Sequence, residues 1–289
     1  MKEYKSLTEL IPEMEPDEIF YKRIFLEYPE AHLDQAHTVE EIEKLCPEAS
    51  SHAAAGFTYH PGNALDETIL PSDEDTIIFR HNRYSPAFLH SHTFFEMIYV
   101  LRGTCENIFT SHTISMQAGD ICIVAPSIIH ALSAFSDDCV IYNFLIKSQT
   151  FEAVFLNSLP KYGTLHDFFS RALYSPGSQF YLYFKSGKDP QLVNLFKKIL
   201  KEYRAQKRYS PSMINALLEI FFICLLSSNG TSGISLSSMV VSTSVVISFF
   251  SSTTYSSSSI RLPPVHQVLD SKAFSLPLLP ESFSSAATT

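Results

Sequence analysis

The sequence predicts a mainly β protein with added helices: a β-barrel followed by an antiparallel helical hairpin, with a helical N-terminal extension and a disordered C-terminal tail. Short runs of β-branched and aromatic residues separated by turn residues lie between about 76 and 148. A helical hydrophobic period replaces them further along the chain. Serine and threonine then dominate, without a usable period. These changes predict four segments, bounded at 1–75, 76–148, 149–228 and 229–289.

The composition limits the classes of protein to consider. With 289 residues and 45% apolar content, the chain can form a packed core. A net charge of −9 excludes a basic surface over the whole chain for binding nucleic acid. Five cysteines without a Cys-x-x-Cys pair, and an N-terminus without an apolar run, predict a cytoplasmic protein with reduced thiols. Glu219 interrupts the apolar stretch Met213–Leu226, and serines interrupt Ile234–Phe250, so no membrane span is expected.

Residues 1–75 are acidic and predict helices followed by a loop. Thr38 and Glu41 have the spacing of a capping box, which predicts a helix that starts after Thr38. Residues 49–75 combine Ala, Gly, Pro, Asp and Ser with little periodicity, which indicates a loop.

The segment 76–148 contains five runs with the composition of strands, separated by turn residues such as Gly103 and Gly119. Short strands at this spacing are typical of a barrel or a sandwich. The predicted strands are Thr76–Arg80, Phe95–Leu101, Asn107–Thr110, Asp120–Val124 and Cys139–Ile146.

Residues 190–227 predict two antiparallel helices. The first has an apolar face with lysines opposite, and Ser210 followed by Pro211 is a typical start for the second. The second helix is apolar over a wider arc than one neighbour requires. We therefore expect part of it to form a homodimer contact, with burial against the barrel as the alternative.

Potential ligands are concentrated in two short stretches of the β segment. His90, His92 and Glu96 are spaced by even numbers, so an extended strand would present them on one face. A second stretch runs from Gly119 through Pro126 to His130. Three ligands on one strand face, with a fourth nearby, suit a metal ion.

These stretches resemble the two motifs of the cupin family, H-x-H-x3-E-x6-G and, with looser spacing, G-x6-P-x3-H. The resemblance implies a cupin-like barrel, a double-stranded β-helix, in which the two motifs lie on neighbouring strands. The two glycines match the turn glycines of the family. The positions that would meet inside the barrel are His90, His92, Glu96 and His130.

Two sequence segments further resemble the N-terminal sensor and dimerisation domain of AraC-family transcription regulators. They are HSHTFFEMIYVLRG and QAGDICIVAPSIIHAL. In that family two antiparallel helices follow the barrel and dimerise, and the pair at 190–227 lies where they belong. The resemblance covers about 76–227. It implies a small-molecule effector, sugar-like or similar, and no catalysis.

The four-residue cluster has three interpretations at this stage. It can hold a divalent metal such as iron, manganese or zinc, or it can line a pocket for an organic ligand without metal. A metal-dependent cupin enzyme, a dioxygenase or isomerase, would explain the ligand set but leaves the helical hairpin without a role. Arg80 and Tyr84 flank the motif and are candidates for contacting the ligand, with a solvated rim or a barrel-end hydrogen bond as the alternative.

The sequence also predicts the positions of several other side chains. Tyr99 has the opposite parity to Glu96, so it should face away from the pocket and pack beneath a helix. Cys122 and Cys139 fall in predicted strands and should belong to the core. Three further histidines fall in predicted loops or turns and should lie at the surface: His60, His81 and His112.

The tail lacks the features of a DNA-binding domain. Arg261 and Lys272 are its only cations, too few for a phosphate-binding surface, and no helix-turn-helix pattern is present. The composition changes abruptly near Ser227. Our hypothesis is a frameshift or truncation that removed DNA binding from this chain. If no alternative reading frame after about codon 226 encodes a helix-turn-helix module, the hypothesis is wrong.

Overall fold

The structure is a computed structural model that describes residues 13–49, 64–72, 74–154, 156, 170, 181–231, 239–241 and 245–247. The predictions for His60 and for most of the tail fall outside these residues.

Two antiparallel sheets form the barrel. The larger has the strand order β10-β7-β4-β9-β2, and the smaller has the order β6-β5-β8. The short strands β1 and β3 form a separate parallel pair. The strands are β1 (Ala64–Leu65), β2 (Thr76–Arg80), β3 (Ser91–His92), β4 (Phe95–Arg102), β5 (Thr104–Phe109), β6 (Thr113–Gln117), β7 (Ile121–Val124), β8 (His130–Ser133), β9 (Val140–Ile146) and β10 (Tyr181–Phe184).

The larger sheet is buried on both faces. Glu96 lies opposite Leu145 of β9 and Val124 of β7, and Tyr99 lies opposite Tyr142 of β9. Because side chains alternate along a strand, Glu96 points to one face and Tyr99 to the other. On the first face Glu96 meets the smaller sheet, so this is the inside of the barrel.

The outer face of the larger sheet is covered by helices. The ring of Phe196 lies 4.7 Å from that of Tyr99 and 5.1 Å from that of Tyr142, and Phe151 stacks on Phe95 at 3.7 Å. Tyr99 therefore packs beneath a helix, as its parity predicts. The helices are α1 (Pro16–Glu27), α2 (Val39–Leu45), α3 (Ser148–Val154), α4 (Pro190–Ala205) and α5 (Ser210–Thr231), with 3-10 turns at Pro29–Ala31 and Glu67–Ile69.

The predicted helix starts and helical hairpin are confirmed. Thr38 Oγ1 accepts from the Glu41 backbone N–H at 3.2 Å, and the Glu41 carboxylate accepts from the Thr38 N–H at 2.8 Å. Asp189 caps α4 by accepting from the Gln191 N–H at 2.8 Å. The turn between α4 and α5 begins at Gln206, which has a left-handed backbone with φ of 44°.

Strand β10 lies inside the segment predicted to be helical. Tyr181–Phe184 pair with Ile121–Val124 of β7 and complete one edge of the larger sheet. A boundary at 148 therefore does not separate the strands from the helices. The strand is only four residues long and far from its partner in sequence, so no local pattern connects it to the barrel.

A buried carboxylate attaches α1 to the barrel. Glu18 is fully buried and accepts hydrogen bonds from Arg83 Nε at 3.0 Å and from Arg80 Nη2 at 2.7 Å. Burial opposes the charge on Glu18, but the hydrogen bonds from Arg83 and the positive charge of Arg80 outweigh it and lower the pKa of Glu18. The predicted helical extension is thus an integral part of the fold.

The described part of the tail contains regular structure. Helix α5 continues to Thr231, and β11 (Met239–Val241) pairs antiparallel with β12 (Val245–Ile247). The valines and isoleucine of these two strands favour extended backbone, and the other residues beyond Thr231 lie outside the described part of the chain.

Among the described helices, α5 alone is long and apolar enough to cross a membrane. The stretch Ser210–Ser227 has a mean hydropathy of 1.6. Five of its apolar side chains belong to the hydrophobic core and pack on the outer side of the larger sheet: Ile214, Leu218, Phe221, Phe222 and Leu225. A core helix meets the same criterion of length and composition, so the finding is weak support for a membrane span.

Candidate functional site

The structure brings His90, His92, Glu96 and His130 together inside the barrel. His130 Nε2 lies 3.2 Å from Glu96 Oε2, and His92 Nε2 lies 3.7 Å from the same oxygen. The ring of His90 lies 4.6 Å from that of His130. His92, Glu96 and His130 are buried, and His90 is half-buried.

The local backbone differs from the predicted continuous strand. His92 ends β3, which pairs with β1, whereas Glu96 lies on β4, which pairs with β7 and β9. The change of partner requires the bend at Thr93 and Phe94. His90 is positioned by an isolated bridge in which His90 and His130 each donate a backbone N–H to the other's carbonyl at 3.0 Å.

Each of the three imidazoles is oriented by a hydrogen bond at Nδ1. The partners are the carbonyl oxygens of Phe88 and Phe94 for His90 and His92, at 3.1 and 2.6 Å. For His130 the partner is Asn107 Oδ1, at 2.9 Å. Because these oxygens only accept, Nδ1 carries the proton in each ring and Nε2 keeps its lone pair in the neutral imidazole.

Burial keeps these histidines neutral at physiological pH. It lowers the pKa of His90 to about 4 and the pKa values of His92 and His130 to about 3. The Nε2 atoms of His92 and His130 and Oε2 of Glu96 are buried without a hydrogen-bond donor among the described residues. Lone pairs that face one another in this way are stabilised by a cation, or by a ligand or water that donates hydrogen bonds.

Apolar side chains line the barrel interior next to this polar cluster. Phe94 stacks on the ring of His92 at 4.7 Å and packs in a buried group with Leu70 and Leu145. Further apolar residues around this group are only partly buried: Leu65, Ile69, Ile77 and Phe79. The interior therefore has a polar side and an apolar side.

Three polar residues of the interior were not predicted. Asn107 orients His130, and Asn143 lies on the Glu96 face of β9 with a buried Oδ1 that has no hydrogen-bond partner among the described residues. His81 was predicted to lie at the surface, which is wrong. It is half-buried, continues the alternation of Ile77 and Phe79, and burial lowers its pKa to about 4. The alternation of inward-facing positions 77, 79 and 81 was the signal in the sequence that could have predicted the inward position of His81.

His112 also departs from its predicted surface position. It occupies the predicted turn but is half-buried, with Nε2 at 2.8 Å from the Tyr181 hydroxyl and its ring stacked on Phe109 at 5.0 Å. Cys122 and Cys139 are buried in the core, as predicted.

Arg80 and Tyr84 are not brought to the cluster. Arg80 lies opposite Tyr142, on the outer face of the larger sheet, and its guanidinium binds Glu18. The Tyr84 hydroxyl donates to Asp137 Oδ1 at 2.8 Å. Arg80 thus holds the N-terminal helix and Tyr84 a surface turn. These contacts correspond to the predicted alternative, a hydrogen bond at the end of the barrel.

The donor set fits a divalent metal ion. One ligand atom from each of His90, Glu96 and His130 lies within 4.8 Å of the others. Two imidazoles and a carboxylate suit iron, manganese or zinc. The hydrogen bonds at Nδ1 are the kind of outer contacts that orient imidazole ligands in metal sites.

A barrel that turns histidines and a glutamate inward, with a helical hairpin on its outer face, defines the class of cupin-type ligand-binding domains. Residues 73–221 match the family model described as AraC-like ligand binding domain. The match covers just over half of the chain, and the chain belongs to this family.

Similar solved structures are distant in sequence. The apo form of a lysine-to-alanine variant of ToxT from Vibrio cholerae is 12% identical, with a TM-score of 0.40, over 56% of this chain and 59% of that chain. ToxT bound to an unsaturated fatty acid is 12% identical, with a TM-score of 0.35, over 54% of each chain. A cupin-2 domain protein from Shewanella frigidimarina is 19% identical, with a TM-score of 0.22, over 34% of this chain and 91% of that chain.

This chain spans less than two thirds of the length of the ToxT structures. No curated protein matches it.

Proposed function

We propose that this chain is the sensor part of a cytoplasmic transcription regulator and that it binds a small-molecule effector inside the barrel without catalysing a reaction. The observation that supports this is the set of unpartnered acceptor atoms on His92, Glu96 and His130, next to an apolar wall. An arrangement of a few convergent polar atoms beside apolar groups is typical of a small-molecule site.

The effector must donate hydrogen bonds. Neutral imidazole Nε2 atoms and a carboxylate are all acceptors, so a molecule with several hydroxyl groups satisfies them. A sugar-like effector has this chemistry, and its C–H faces pack against rings such as that of Phe94. We therefore assign His90, His92, Glu96 and His130 as effector ligands and leave Arg80 and Tyr84 out of the set.

A divalent metal is the second candidate occupant. His90, Glu96 and His130 would hold it, and a metal ion would supply positive charge and open coordination positions for effector oxygens. A metal-dependent enzyme is the alternative function of the same residues. Turnover of a dioxygenase or isomerase substrate by the metal-loaded chain would favour that alternative.

The substitution H90A tests the binding site. We expect the purified chain to gain thermal stability from one or more members of a panel of sugars, polyols and divalent metals, and H90A to lose most of that gain because one convergent acceptor is gone. Thermal shift measurements and metal analysis of the same preparations provide the readouts. The control is H37A, which removes a histidine of the N-terminal region that contacts the His32 carbonyl.

An equal gain in the wild type, H90A and H37A would place binding elsewhere. A chain stabilised by no member of the panel, and purified without metal, would contradict both candidate occupants.

We further propose that the hairpin forms a homodimer. Three apolar side chains of α5 are exposed beside the face that packs on the barrel: Met213, Ile220 and Ile223. In a symmetric dimer both copies use the same patch, so each of these positions contributes two side chains, one from each copy, to the buried contact.

We expect I220D to weaken dimerisation by at least about tenfold, because two carboxylates would enter one apolar contact. The control is I19D, which places the same charge on the exposed face of α1, where Ile19 is 57% exposed. Light scattering over a concentration series measures the effect. A wild-type chain that stays monomeric at high concentration would contradict the proposal.

A further inference from the structure

A second cleft lies outside the barrel, where the start of β2 meets the turn between α4 and α5. It has a volume of about 260 Å³. The barrel side contributes Glu74, Asp75 and Thr76, and the hairpin contributes Tyr203 and Asn215 among others. None of these residues belongs to the histidine cluster, so this cleft is a separate site.

Two buried polar atoms in the cleft have no hydrogen-bond partner among the described residues. One is Oγ1 of Thr76, a residue that is 5% exposed, and the other is Oδ1 of Asn215. An unsatisfied buried polar atom destabilises a protein by about 1–3 kcal/mol, so a pair of them on residues that line one cleft indicates that a ligand or water completes the site.

The lining of the cleft contains two carboxylates, those of Glu74 and Asp75, against one cation, Lys207. The Asn215 amide already donates to Asp75 Oδ2 at 3.4 Å, and the Tyr203 hydroxyl donates to Glu74 Oε2 at 3.5 Å. Both bonds are long, and the two carboxylates have no closer donor among their described hydrogen bonds.

The size and charge of the cleft indicate which class of molecule it can bind. Its volume is several times the roughly 30 Å³ that one water occupies in the liquid, which is too large for a bare ion. The two carboxylates outnumber the one lining cation, Lys207, so together with the amide oxygen and the hydroxyl they favour hydrogen-bond donors with positive charge. We propose that this cleft binds a small organic ammonium compound and thereby bridges the barrel to the α4–α5 turn.

Calorimetry on the full chain with 1,4-diaminobutane tests the proposal, with 1,4-butanediol as a neutral molecule of the same shape. We expect the diamine to bind and the diol to bind at least about tenfold more weakly, because only the diamine pairs with the carboxylates. The same salt concentration in both titrations keeps non-specific screening equal.

Two variants locate the binding. T76V removes the unpartnered hydroxyl at constant shape and should weaken diamine binding by roughly fivefold while leaving the unliganded chain at least as stable as the wild type. D75N should weaken binding by about tenfold or more. The matched control is E106Q, which removes one exposed charge on β5.

Three results would overturn the proposal: no diamine binding, equal binding of diamine and diol, or binding that T76V and D75N leave unchanged. A T76V chain that is less stable without ligand would show that the hydroxyl is bonded within the protein, which also contradicts the proposal. H90A should not affect diamine binding, so these outcomes are independent of the effector site.

Discussion

The substitution E18Q is expected to lower the free energy of unfolding by about 3–5 kcal/mol. Glu18 is fully buried and is the shared partner of Arg80 and Arg83, whose side chains are also almost fully buried. Removing this carboxylate charge leaves the buried guanidinium of Arg83 without a carboxylate among the described ion pairs and leaves Arg80 with Glu15 alone, at 3.1 Å, although the shape of the side chain is retained. Denaturant unfolding followed by circular dichroism measures the loss.

The control for this prediction is E27Q on the same helix. Glu27 pairs with Arg23 one turn away, and both side chains are about half exposed. Exposed pairs of this type contribute about 0.3–0.5 kcal/mol. Similar losses for E18Q and E27Q would mean that the Glu18 cluster does not hold α1 on the barrel.

The second large effect is expected for G119A. Gly119 has a φ of +98°, and a Cβ atom there would lie 1.8 Å from the carbonyl oxygen of Gly187. The left-handed backbone costs an alanine about 1–2 kcal/mol, and displacing the neighbouring turn adds about 1–3 kcal/mol. We expect a total loss of about 2–5 kcal/mol in the free energy of unfolding, measured in the same way.

Gly187 supplies the matched control. Its φ is +59°, and a Cβ atom there would meet nothing within 4 Å. G187A should therefore lose only the conformational part, about 1–2 kcal/mol. If G119A is no less stable than G187A, the close contact between the Gly119 turn and the Gly187 turn is not a constraint on the fold.

Local patterns in the sequence predict the barrel strands and the helical hairpin well. Alternating and β-branched runs mark β2, β4 and β9, and a helical period marks α4. The spacing of His90, His92 and Glu96 predicts their convergence even though the strand between them is bent. The motif resemblance adds His130, whose partner strand no local pattern identifies.

Contacts between distant segments could not be predicted. Arg80 is bound by Glu18, 62 residues away, and this contact takes it away from the pocket where the sequence placed it as a candidate. Asn107 is an ordinary strand residue in sequence, and only the pairing of β5 with β8 places it beside His130. Tyr181–Phe184 join the barrel through pairing with β7, more than 50 residues earlier.

The central claim is that three neutral imidazoles present Nε2 lone pairs to one effector site. Nitrogen NMR of ¹⁵N-histidine-labelled chain at pH 6 tests it most directly, since an unperturbed imidazole with a pKa of about 6.5 is mostly charged there. The account predicts neutral rings protonated at Nδ1 for His90, His92 and His130, and Nε2 signals that shift when the effector or metal binds. Charged rings, or protons on Nε2, would contradict it, because no lone pairs would then face the site.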